Sequence, residues 1–201
     1  MAYLFPMKRY LVFLMCLPGL AWAQPSDLVQ RITAFQSDLA ETYKVKTLNV
    51  GGESLGALES ETPEYRTDFK LEGKEKTLDN LERNVRFDVF VHVFHFADSD
   101  ELNWAMKRWL ADFIDGSSIR PGRDARTVAH VDPSIVVIDG TTISVMTQPC
   151  AQFTVEGFRD WRSKMLTYFG SPTAVIIEVA GCEGPLMWTK NPPDPKDRTW
   201  K

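Results

Sequence analysis

Residues 85–96 read VRFDVFVHVFHF, and this stretch decides the fold. It is built almost entirely from residues that favour extended backbone. Side chains alternate across a strand, so Val85, Phe87, Val89, Val91 and Val93 share one face, while Arg86, Asp88, Phe90, His92, Phe94 and Phe96 share the other. The first row is an uninterrupted apolar ridge and must be buried. The second mixes rings with ionisable groups, which makes it the surface of interest.

After this strand, Asp98 and Glu101 form a capping box, and a helix runs from there to about Asp115, stopped by Gly116. Its apolar stripe is Leu102, Met106, Trp109, Leu110 and Phe113. The pair Asp139-Gly140 separates the β-rich runs 135–138 and 141–147, a strong hairpin signal. Thr154 caps a helix over 158–169 with Phe158, Trp161, Met165 and Tyr168 on one side and Gly170 at its end. A last strand covers 173–180. The order over residues 85–180 predicts an α+β chain with a ferredoxin-like βαββαβ antiparallel sheet, both helices lying on its valine-rich face. In this arrangement Ile143 and Val145 face the core with Val175, Ile177 and Val179. Thr142, Ser144, Met146, Ala174, Ile176 and Glu178 face away.

Before residue 85 the signals are weaker. Leu28, Ile32, Phe35, Leu39 and Tyr43 recur at helical spacing, so a helix capped by Ser26 is expected over 26–43 as an addition to the main unit. A short strand is expected at 46–50, then the turn Gly51-Gly52, an alternating strand from Tyr65 to Leu71, and a short helix at 78–83 capped by Thr77.

The N-terminus has the three parts of a secretory signal: Lys8 and Arg9, the apolar core 11–20, and Ala21-Trp22-Ala23 before a cut at Gln24. The core is half the length of a membrane span, which wants about 20 apolar residues, so no anchor is expected in the mature chain. The expected organisation is a signal peptide over 1–23, one α+β domain over 24–190, and a flexible proline-rich tail over 191–201, in a periplasmic or secreted protein. Losing Lys8 and Arg9 takes the net charge from −4 to −6 and leaves no basic run, which argues against nucleic acid as a partner. Cys150 and Cys182 are the two cysteines left, an even pair expected to form a disulfide in an oxidising compartment.

Candidate chemistry is sparse. There is no nucleophile elbow, zincin motif, phosphate loop or dinucleotide fingerprint, and no cofactor is expected. His92 and His95 fall on opposite faces of one strand, so no metal site is expected either. If the last strand lies against the first, Glu178 falls near Phe90, flanked by Asp88 and His92. Arg120 and Arg123, with Arg126, make a loop able to hold an anion. The second sheet face, with Phe90, His92, Phe94 and Glu178, is open to three uses: cover by the N-terminal helix, a protein or self-association interface, or a small-ligand site. The reading that follows is an exported, non-catalytic binding protein of the bacterial envelope. The alternative is a small periplasmic hydrolase or isomerase using His92 with Asp88 or Glu178.

Overall fold

The computed structural model describes residues 25–48, 58, 62–113, 126–127, 132–182 and 184–192. The expected signal peptide, the glycine pair at 51–52, the arginine loop with Arg120 and Arg123, and the tail beyond 192 lie outside the described residues.

The chain runs α1 (Ser26–Leu39), β1 (Tyr43–Thr47), β2 (Tyr65–Leu78), β3 (Asn84–His95), α2 (Ser99–Phe113), β4 (Arg126–Thr127), β5 (Ser134–Asp139), β6 (Thr142–Thr147), a single 3-10 turn (Cys150–Gln152), α3 (Val155–Phe169), β7 (Val175–Val179) and β8 (Pro185–Lys190). All neighbouring strands are antiparallel, in the order β1-β2-β3-β6-β5-β7-β8-β4.

The class is α+β, but the ferredoxin-like arrangement does not hold. The last predicted strand, β7, pairs with β5 at the far side of the hairpin, not with β3. The two helices expected on one face lie on opposite faces. α3 covers the valine row, and its companion there is α1: Leu28, Ile32, Phe35 and Leu39 pack with Val89, Val91 and Val93 and with Phe158, Trp161, Met165 and Phe169. α2 covers part of the second face, where Leu102, Met106, Trp109 and Leu110 meet Phe94, Phe96, Ile143 and Val145. The N-terminal helix is thus part of the main core.

Register explains which residues were assigned to the wrong face. Directly opposed residues of an antiparallel pair point to the same side. Val145 opposes His92 and Ile143 opposes Phe94, so both lie on the second face, while Met146 opposes Val91 on the valine face. In β7, Ile177 and Val179 likewise belong to the second-face core, and Ala174 and Ile176 to the valine-face core.

Three local expectations also change. Pro25, not Ser26, occupies the N-cap of α1, which ends at Leu39; Tyr43 opens β1 and stacks edge-on against Trp161, ring centroids 5.5 Å apart. The predicted helix at 78–83 is a tight turn instead. Asp79 Oδ1 accepts the backbone N–H groups of Leu81 and Arg83, each at 2.9 Å, an alternative to helical bonding that aspartate readily supplies. β2 and β3 therefore form one long hairpin, with an irregularity between Glu72 and Lys76.

Candidate functional site

The β2–β3 pairing builds the second face. Arg66 opposes Phe94, Asp68 opposes His92, Lys70 opposes Phe90, and Glu72 opposes Asp88. The alternation that buries Phe69 and Leu71 on the valine side turns these four polar residues of β2 the other way.

The face divides into two regions. Towards α2 lies a buried polar triad. His92 Nδ1 is 2.6 Å from Asp68 Oδ1, and Arg66 Nε donates to Asp68 Oδ2 at 2.6 Å. The side chains of His92 and Asp68 are 2% and 3% exposed, so both are removed from water. The guanidinium of Arg66 also lies 5.1 Å from the centre of the Phe94 ring. Burial pushes the Asp68 carboxyl up, but hydrogen bonds from His92 and Arg66, with their charge, outweigh it and hold the group below the ordinary carboxylate range. His92 Nε2 is buried and has no hydrogen-bond partner among the described residues.

Away from α2 the face is a charged platform. Lys70 Nζ pairs with Asp88 Oδ2 at 2.8 Å and sits 5.5 Å from the centre of the Phe90 ring. Glu72 is paired with Lys46 of β1 and approached by Arg86 Nε at 3.8 Å. The hydrogen bond from Lys46 holds the Glu72 carboxyl below its usual range, against an opposing contribution from desolvation. Phe90 is half-buried, between Lys70 of β2 and Thr147 of β6, its register partners on either side. The paired groups of the platform are part-buried, the side chains of Lys70, Asp88 and Glu72 being 23%, 24% and 17% exposed.

The structure does not assemble the expected acid–base group. Glu178 opposes Ile135, points to the valine side, and pairs with Arg162 of α3 at 2.6 Å. Asp88 shares the face of His92 but is engaged by Lys70. The carboxylate that does meet His92 is Asp68, with Arg66 behind it. Neither was singled out from the sequence, although the alternation of Tyr65, Thr67, Phe69 and Leu71 already placed them together on the opposite side of β2.

Phe94 belongs to the α2-side core, fully buried; Phe90 alone of the two rings remains partly accessible. His95 lies on the other face at the strand end, its Nδ1 3.1 Å from Thr142 Oγ1. Trp188 is in β8 and packs against the α2-side core. Cys150 and Cys182 form a disulfide with Cα atoms 5.4 Å apart.

A separate open recess is lined by Thr62, Phe96, Asp100, Glu101 and the exposed Trp104. Among the described residues, no three His, Cys, Asp or Glu side chains converge on a point that would hold a metal ion. No described helix is long and apolar enough to cross a membrane. No protein-family model, curated protein or solved structure matches the chain.

Proposed function

We propose that this chain is an exported, non-catalytic binding protein of a bacterial envelope, and that it engages a protein partner through the platform formed by β1, β2 and β3. One observation carries the reading. A half-buried aromatic ring, Phe90, carries Lys70 over its face on the side of the sheet that also bears Asp88, Glu72 and Arg86. An aromatic anchor beside charged groups is how interfaces combine binding energy with orientation. The Cys150–Cys182 disulfide suits an oxidising compartment, which supports export.

The test is site-specific photocrosslinking in the producing cell. A benzophenone side chain at position 90 is compared with one at position 159, an exposed site on α3 across the sheet. The reading expects a discrete adduct from position 90 only, in the periplasmic or secreted fraction. Equal labelling at both sites, or cytoplasmic retention of the chain, overturns it.

A second reading, a small hydrolase or isomerase, draws on the Asp68–His92 pair. A carboxylate on Nδ1 with Nε2 unpartnered is the arrangement of an oriented general base. Against it stand the burial of Nε2 and the second bond that ties Asp68 to Arg66, which fit a structural polar cluster better. His92→Ala separates the two: platform binding retained with the fold intact belongs to the binding protein, whereas loss of a turnover with the fold intact belongs to the enzyme.

A further inference from the structure

The sheet ends at β1, which among the described residues pairs with β2 alone. The phase of that ladder fixes which backbone groups face out. Leu48 N donates to Asp68 O at 2.9 Å, and Lys74 N donates to Thr42 O at 3.0 Å. Antiparallel strands exchange bonds at alternate residues, so Thr42, Lys44, Lys46 and Leu48 turn their N–H and C=O groups inward to β2. Tyr43, Val45 and Thr47 turn theirs outward, to the open edge.

The side chains on this edge alternate in character. Lys44 and Lys46 project to the platform side and are exposed; Val45 projects to the other side, 37% exposed. The platform itself, across β1 to β3, carries Lys44, Lys46, Lys70, Lys76 and Arg86 against Glu72 and Asp88. It is a net cationic surface on a chain whose overall charge is −4.

A second copy is a poor occupant. Antiparallel pairing of β1 with itself about Val45 sets each lysine directly opposite a lysine of the other chain, which is unfavourable. An extended strand with carboxylates at every second position and apolar residues between answers both rows, the acids meeting Lys44 and Lys46 and an apolar side chain meeting Val45. We infer that β1 is an acceptor edge for an extended, alternately acidic and apolar segment of a partner protein, which joins the sheet as a further strand. This rests on the proposed binding role and names the chemistry of its partner.

The test uses the chain from residue 24 to 201 and fluorescence anisotropy with an end-capped, labelled seven-residue peptide of alternating glutamate and valine. Saturable binding is expected, weakened at least about tenfold by Lys44→Glu/Lys46→Glu, with a lysine–valine peptide now bound in its place. That exchange of preference shows that the variant edge is folded. Val45→Pro removes an outward N–H while leaving the inward ladder intact, and is expected to abolish binding of either peptide.

Equal binding of both peptides by the unmodified chain, indifference to Val45→Pro, or dimerisation of the free chain through this edge overturns the inference. The crosslinking at position 90 keeps the two proposals apart. An adduct there with no peptide binding at β1 leaves the platform reading standing and removes the edge proposal; silence in both removes both.

Discussion

His92 and Asp68 face each other across β2 and β3 as direct register partners, imidazole Nδ1 to carboxylate at 2.6 Å, with Arg66 closing the other carboxylate oxygen. One carboxylate thereby bonds both the imidazole and the guanidinium, while His92 Nε2 stays buried without a partner among the described residues. Asp68→Ala removes the carboxylate that the buried imidazole and the guanidinium both bond, and the expected loss is about 3–5 kcal/mol, read from urea unfolding. Replacing all three by apolar residues of similar volume (Arg66→Met, Asp68→Leu, His92→Phe) is expected to be near neutral by the same measurement.

The same triad sets part of the acid sensitivity. The folded carboxyl of Asp68 titrates below its unfolded value, so its contribution is present above the unfolded pKa, about 4, and is lost as pH falls through the folded one. Glu72 and Asp79 are depressed as well, through Lys46 for the first and, for the second, through bonds from Arg83 and Leu81 that outweigh desolvation. Urea midpoints are expected to hold steady from pH 7 to about 5 and then to fall steeply below about 4. Asp68→Asn flattens that fall. An unchanged slope in this variant would show that the triad is not a source of it.

The strand at 85–96 was legible because its two faces differ, valines on one side and rings with charges on the other. The hairpin about Asp139-Gly140 and the last strand were legible as elements, but the faces on which their residues lie were not. Ile135, Val136, Val137 and Ile138 are all buried, as are Ile176 and Ile177, because helices cover the sheet on both sides there. A strand apolar on both faces, as in β5 and β7, carries no alternation by which to choose one; in β6 Ile143 and Val145 do alternate with Thr142 and Ser144, but only register shows that they face the α2-side core. The β2–β3 register was hidden separately, behind the turn at 79–83, where Leu78 and Leu81 imitate a helical spacing although both are exposed. The partner of His92 was hidden for the same reason: Asp68 becomes its neighbour only once β2 and β3 are paired.

Phe35 measures how far α1 belongs to the core. Its side chain is fully buried and meets Phe69, Tyr168 and Phe169 with ring centroids 6.1, 5.3 and 5.1 Å away. Phe35→Ala is expected to cost about 3–5 kcal/mol, as for a large core ring. A helix merely added to a self-sufficient unit would tolerate the change, so a loss below about 1 kcal/mol would return α1 to that status.

Glu82 holds a left-handed backbone, φ 58°, at the tip of the β2–β3 hairpin, where Asp79 N donates to Arg83 O at 3.0 Å and Glu82 N to Asp79 O at 2.9 Å. Glycine adopts this conformation without a Cβ penalty. Glu82→Gly is expected to raise stability by about 0.5–1 kcal/mol, a gain of a few degrees in Tm by calorimetry. The mirror experiment is Gly140→Ala at φ 57°, where an added Cβ meets nothing within 4 Å. Its expected loss of about 1 kcal/mol comes from the backbone alone.

The disulfide joins residues 32 positions apart, and in the chain-entropy model this contributes roughly 3–4 kcal/mol. Cys150→Ser/Cys182→Ser should lower the urea midpoint accordingly, and reductant should then have no further effect. The consequence reaches the platform, because the turn at Cys150 is followed at once by groups that hold β3 and the hairpin tip. Gln152 accepts from Asp88 N at 2.7 Å and donates to Arg86 O at 3.0 Å, while Asn80 N donates to Ala151 O at 2.7 Å. With Cys150 released, the amides of Asp88 and Asn80 are expected to exchange with solvent faster than those of Val91 and Val93 in the covered core. Uniform acceleration across β3 would mean that the bond stabilises the whole sheet without anchoring its cationic end.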